Sequence, residues 1–279
     1  MDISKLPYTR QSTERQERNV QQQAGQTDIV SPVPSEQPVR SDISSSYTRR
    51  EPLLSPKLYF VISGGTVRER DYLMALERKR ELKGLQVVFI TSKRNEGGLT
   101  PKMMLEKVEE IIANKSFMRN GTLFNITDID SIYLISDVDH YADELQALVP
   151  QAKGFRWVIS NPAFEIWLYY AYFNNPHVDL AGIAELSQSQ MSSALKNRND
   201  RLKPGGIDPR KAFEQMPEAI SNAAAHYAED EYGVPTLFAT QMHHFATDVL
   251  NVIGNEYRTW LERKQEQIRQ FKEGIGKKK

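Results

Sequence analysis

The sequence predicts an α/β protein: a parallel sheet with helices on both faces, followed by a helical C-terminal part. Three observations predict it. Four short apolar runs, 58–63, 86–91, 131–136 and 155–160, are continuous rather than alternating, as expected of parallel strands covered on both faces. Segments of helical length separate them, which gives a β–α–β–α–β–α–β rhythm. After Pro162 the pattern becomes helical and stays so toward the end of the chain.

Composition narrows the function classes. Apolar residues make up 39%, enough for a core diluted by polar ends. Thirty-six basic residues balance 36 acidic ones, so no global electrostatic footprint for nucleic acid exists and such a partner would need a local basic patch. Cysteine is absent, which excludes disulfides, thiolate catalysis and Cys-ligated zinc and agrees with a reducing cytosol. No apolar run approaches the ~20 residues of a membrane helix, and 1–6 lack a signal-peptide core. The expectation is a soluble cytoplasmic protein without a membrane partner.

Taken in order, residues 1–54 are rich in Gln, Ser, Pro, Arg and Glu and read as a disordered tail. Residues 55–175 read as the α/β core and 176–279 as a helical part packed on it. The first strand, 58–63, turns at Gly64-Gly65-Thr66 into a helix over 68–82 with Tyr72, Leu73 and Leu76 on one face. A second strand at 86–91 leads to a polar loop with Lys93, Arg94 and Gly97-Gly98, and Thr100 caps a helix over 101–115. The third strand ends at Asp137, a helix spans 142–151, and the fourth strand ends at Ser160. Asn161 and Pro162 suit the N-cap and first position of a helix over 164–173. Further helices are expected over 178–197, 210–230, 241–253 and 256–272, with a loop at 196–211 and a frayed basic end at 277–279.

In doubly wound sheets ligands bind beyond the carboxyl ends of the strands, where Gly64, Asp137, Asp139 and Asn161 fall. Asp137 and Asp139 are two apart, so their side chains leave on the same face and suit a hard cation such as Mg²⁺ or Mn²⁺. A strand-end turn explains the same pair. Glu165 and Glu69 each sit in the first turn of a helix, as site carboxylates or as charges that favour the helix dipole. Arg68, Arg70, Lys93, Arg94 and Lys102 form a candidate phosphate-binding patch or scattered surface cations. Gly64-Gly65-Thr66 is a candidate phosphate cradle that matches neither the Walker pattern nor G-x-G-x-x-G, and a tight turn explains it as well. His243 and His244 diverge by about 100° on a helix, so both do not readily bind one ion.

Asn161-Pro162-Ala163-Phe164-Glu165-Ile166-Trp167-Leu168 resembles the Asn-Pro-x-Phe-Glu-x-Trp-Leu segment of the RloB-like family. Asp137-Val138-Asp139 matches its D-x-D, and Glu69-Arg70-Asp71-Tyr72 matches a Thr-Glu-x-x-Tyr stretch, with Arg68 in place of Thr. The stretch from Ala219 through Asn222, Pro235 and Thr240 to His243 or His244 looks like the family's helical C-terminal part, so the likeness runs from about 57 to about 250. It implies a Toprim-like, Rossmann-like domain in phage defence and Mg²⁺- or Mn²⁺-dependent cleavage of phosphodiester bonds in DNA or RNA. Asp137, Asp139 and Glu69 would hold metal, and Glu69 and Glu165 would complete the catalytic shell. Gly64, Gly65, Thr66, Arg68, Lys93 and Arg94 would contact nucleic acid or phosphate. An ABC- or AAA-type ATPase is the implied partner, with the tail before residue 55 as a contact. One departure stands out: the family's Glu-Gly after the first strand is here Gly64-Gly65. Loss of a general acid/base is typically worth ~10²–10⁴-fold. Either Glu69 takes over, or the site binds nucleotide or phosphate without cutting, as a regulatory module, or this branch does different chemistry.

Overall fold

A computed structural model describes residues 56–79, 81–92 and 97–276 of the chain. The expectations for 1–54, for Lys93 and Arg94 and for 277–279 lie outside the described residues.

The elements run β1 (Lys57–Ser63), α1 (Arg68–Glu77), β2 (Leu85–Ile90), α2 (Pro101–Asn114), β3 (Ser116–Arg119), β4 (Thr122–Asn125), β5 (Ser131–Asp137), α3 (Ala142–Leu148) and β6 (Arg156–Ser160). The helical part follows as α4 (Glu165–Tyr170), α5 (Pro176–Asp179), α6 (Gln188–Leu202), α7 (Pro209–Ala212), α8 (Met216–Ala225) and α9 (Met242–Gly276). Strands β2-β1-β5-β6 form one parallel sheet in that order, as the continuous apolar runs predict.

Both faces of the sheet are buried, and alternate residues feed two cores. Phe60, Ile62, Val88, Leu134 and Ile159 meet Met104, Val108 and Ile111 of α2 and Leu145 of α3. Tyr59, Val61, Val87, Tyr133 and Val158 join the larger core, which takes in Tyr72 of α1, Trp167 of α4, Ala219 of α8 and Phe245 of α9. Among the described residues no helix is long and apolar enough to cross a membrane.

The structure departs from the sequence reading in several places. A hairpin, β3–β4, follows α2; Asn120 and Gly121 supply the positive φ angles, 49° and 79°, that a two-residue turn needs. Asn161 caps no helix, and α4 begins only at Glu165. Instead Asn161 donates from its backbone N–H to Ala239 (3.0 Å) and from Nδ2 to Pro235 (2.8 Å), and its carbonyl accepts from Phe238 N–H (2.9 Å). The expected helix over 178–197 becomes α5, a 3₁₀ turn and a longer α6, so 196–202 is helical rather than loop. Likewise 210–230 divides into α7, a 3₁₀ turn and α8, while 241–253 and 256–272 merge into α9, 35 residues long. Gly254 does not interrupt α9, because Val249, Ile253, Tyr257 and Trp260 of the same helix are buried and offset the ~1 kcal/mol a helical glycine costs.

Candidate active site

The sheet order reverses between β1 and β5, and the carboxyl ends of β1, β5 and β6 meet there. Gly64 N–H donates to Ile135 (3.0 Å) and Val138 N–H to Ser160 (2.9 Å). These bonds carry the parallel ladder past the last strand residues and fix where the next side chains leave.

Four predicted carboxylates arrive at this point from three elements. Asp137 ends β5, and its Oδ1 accepts the Phe164 N–H (2.8 Å). Asp139 lies one step beyond; its backbone N–H donates to Pro162 (3.1 Å), and its Oδ1 is buried without a partner. Glu165 opens α4, and its Oε1 is 3.1 Å from Arg68 Nε. Glu69, in the first turn of α1, is only 6% exposed. Its carboxylate folds back over Gly65, where an added Cβ would lie 1.8 Å from Oε1. Gly65 is therefore glycine for the sake of Glu69, not for an unusual backbone angle.

Burial and mutual repulsion set the protonation of the group. Burial pushes the Glu69 carboxyl up to about 7; its own backbone N–H and Arg68 pull it down, and Glu165 pushes it further up. Asp137 is pushed well above the usual carboxylate range by burial, then by Glu69 and Glu165. Glu165 is raised by burial against the opposing charge of Arg68, and Asp139 by burial against His140. Four carboxylates thus act on one another at the strand tips, with Arg68 paired to Glu165 and with Lys196 and His140 as further neighbours.

The other predicted residues divide. Gly64, Gly65 and Thr66 do form the strand-to-helix turn, with Gly65 N–H on Ser63 Oγ (3.2 Å). Gly64 faces the loop before α2: an added Cβ would sit 3.0 Å from the Leu99 carbonyl. Arg70 and Lys102 are exposed. The His243 and His244 rings lie 3.9 Å apart at 39°, closer than their helical divergence suggests. His243 is buried with Nδ1 on the Thr240 carbonyl (2.7 Å), and burial lowers its pKa.

Two supports escaped the sequence reading. The hydroxyls of Ser160 and Thr240 are 2.7 Å apart and fully buried, which ties the end of β6 to the segment before α9. Asn199 of α6, also fully buried, donates from Nδ2 to the Glu165 carbonyl (2.9 Å). Both join residues far apart in sequence, so no periodic pattern announces them.

Among the described residues no three His, Cys, Asp or Glu side chains stand as a group that would hold a metal. Three of the four candidates are turned elsewhere: Glu165 to Arg68, Asp137 to the Phe164 N–H, Glu69 over Gly65. In chemical kind the set fits a hard divalent cation, since all donors are carboxylate oxygens and the Asp139 Oδ1 is buried and unsatisfied.

A doubly wound parallel sheet with acidic side chains gathered at its switch point places this chain among α/β proteins, a class in which the strand tips are the common ligand position. The chain belongs to the RloB-like family: the family model for RloB-like protein matches residues 59–253. That span contains all four carboxylates and Arg68. No curated protein and no solved structure matches the chain.

Proposed function

We propose that this chain is a phage-defence nuclease of Toprim type that cleaves phosphodiester bonds of DNA or RNA with Mg²⁺ or Mn²⁺. One observation carries the proposal: four carboxylates from β5, the turn after it, α1 and α4 converge at the switch point with raised pKa values, and Arg68 is paired to one of them. Such an arrangement is costly to keep without a cation. Family membership supports the defence setting. Asp137, Asp139 and Glu69 would hold the ion, which supplies Lewis-acid activation of water and charge stabilisation on the scissile phosphate.

The chain's own residues do the rest. Glu69, whose carboxyl holds a proton up to about pH 7 in the ion-free protein, would act in place of the family glutamate missing at Gly64, as a ligand when ionised and as a proton carrier when not. Asn199 and the Phe164 N–H fix α4 and Asp137 and so set the spacing of the carboxylates. Arg68, with Lys93 and Arg94 from the loop outside the described residues, would bind the nucleic-acid backbone. An ABC- or AAA-type ATPase remains the proposed partner, and a cytoplasmic location the proposed setting.

Calorimetric titration of Mg²⁺ or Mn²⁺ into the wild type beside Asp137→Ala/Asp139→Ala tests the site. Binding abolished by the double substitution, followed by metal-dependent cleavage of DNA or RNA, is the expected result. No binding in the wild type would overturn it. A second reading, a phosphate-binding regulatory module that does not cut, is favoured by Gly64 and by the Leu99 carbonyl packed against it. In that case Asp137→Ala leaves the biological effect intact.

A further inference from the structure

We propose that Arg68 is the resident counter-cation of the carboxylate cluster at the strand tips and competes with a divalent ion for it. The inference rests on the metal-site reading above and concerns how this chain controls that site. Arg68 Nε lies 3.1 Å from Glu165 Oε1, and the two side chains are only 20% and 14% exposed. In so dry a place the attraction is poorly screened. The Arg68 Nη1 atom is buried and has no partner, so a second donor of the same guanidinium is also kept from water. Arg68 opens α1 one residue before Glu69, and its positive charge bears on Glu69 as well as on Glu165.

A guanidinium is a planar fork, not a point charge. It holds one carboxylate along an edge and does not draw three around a centre. That explains why four carboxylates converge here yet no three are arranged around an ion. An ion held by Asp137, Asp139 and Glu69 must bind beside Arg68, whose positive charge already bears on Glu69 and occupies Glu165. Arg68 therefore weakens cation binding while it stabilises the ion-free protein.

The test uses the full chain. Mn²⁺ is titrated calorimetrically into the wild type, Arg68→Met, which keeps an apolar stem, and Asp137→Asn. In parallel, urea unfolding in EDTA is measured for Arg68→Met, Glu165→Gln and the double variant. Competition predicts that Arg68→Met binds Mn²⁺ about tenfold or more tightly and that Asp137→Asn abolishes binding. It also predicts that Glu165→Gln restores part of the stability that Arg68→Met loses. If the wild type binds Mn²⁺ and Arg68→Met binds it no more tightly, the competition is wrong and the metal site stands. Silence in both overturns the metal site and the competition together. Strictly additive unfolding effects overturn the counter-cation role whatever the titration gives. Should Arg68→Met not fold, Arg68→Lys keeps the charge without the fork: a smaller gain in Mn²⁺ affinity is expected, and no gain overturns the proposal.

Discussion

At the scale of single residues, the chemistry concentrates in Glu69 and the glycine beneath it. The folded Glu69 carboxyl holds its proton up to about pH 7, against an ordinary value of 4.5. Between those two values the folded state binds more protons than the unfolded one, so its stability falls as pH rises through the window. The contribution is complete below about 4.5 and is lost above about 7. Asp137 shifts the same way and adds to the slope. In EDTA, the unfolding free energy is expected to drop by a few kcal/mol between pH 5 and 7.5. Glu69→Gln should flatten that profile, as should millimolar Mn²⁺, which favours the ionised forms. A slope untouched by Glu69→Gln would place the titration elsewhere. Gly65→Ala tests the same contact from below. Its Cβ meets only the flexible end of Glu69, so the carboxylate swings aside at a cost of about 1 kcal/mol or less, and the pH slope shrinks with it. The sequence marks Asp137, Asp139, Glu165 and Glu69 as site residues because strand ends and first helical turns can be read from local pattern. It does not show that Glu69 covers Gly65 or that Arg68 pairs with Glu165, since both depend on helix phase and rotamer.

At the scale of elements, the strands are legible because a continuous apolar run needs cover on both faces, and only a parallel sheet provides it here. Helix boundaries are less so. Asn161-Pro162 carries a local helix-start signal, but the segment 235–241 takes up the donors and acceptors of Asn161, and that contact spans some 75 residues of sequence. The sequence reading separates helices over 241–253 and 256–272, yet α9 runs through Gly254 because tertiary packing overrides propensity. The loop before α2 is another element-level feature hidden from pattern. A Cβ on Gly98 would lie 2.5 Å from the Gly64 carbonyl, backbone against backbone. Neither chain can yield without moving the end of β1. Gly98→Ala is therefore expected to cost about 1–3 kcal/mol in urea unfolding. Gly64→Ala, whose Cβ sits 3.0 Å from the Leu99 carbonyl, should cost less. A Gly98→Ala protein as stable as wild type would mean that this loop does not rest on Gly64. The same contact bears on restoring the family glutamate: Gly64→Glu adds its first carbon against Leu99, so a gain of activity requires the loop to give by a few tenths of an ångström.

At the scale of the whole molecule, the sheet and the helical part share one core, and α9 joins them. Asp248 of α9 accepts from Tyr133 Oη (2.8 Å) and from Arg156, and its carbonyl accepts from Tyr59 Oη (3.0 Å). One residue thus ties the long helix to β1, β5 and β6. Farther along, Trp260 stacks on Phe213 at 5.3 Å, flanked by Lys79 and Lys264. Beyond Lys264 the helix loses its cover: Ile268 is 45% exposed and Phe271 69%. The helix is continuous, but its energetic contribution is not. Trp260→Ala removes a large, nearly buried ring and is expected to cost about 3 kcal/mol or more. Ending the chain after Lys264 removes described side chains that bury little, so the unfolding midpoint should move by no more than the scatter between preparations. If truncation destabilised the monomer as much as Trp260→Ala does, the terminal turns would have to pack against the body in solution. If it left stability unchanged, α9 would divide at Lys264 into a segment that closes the core and a segment whose side chains remain in water.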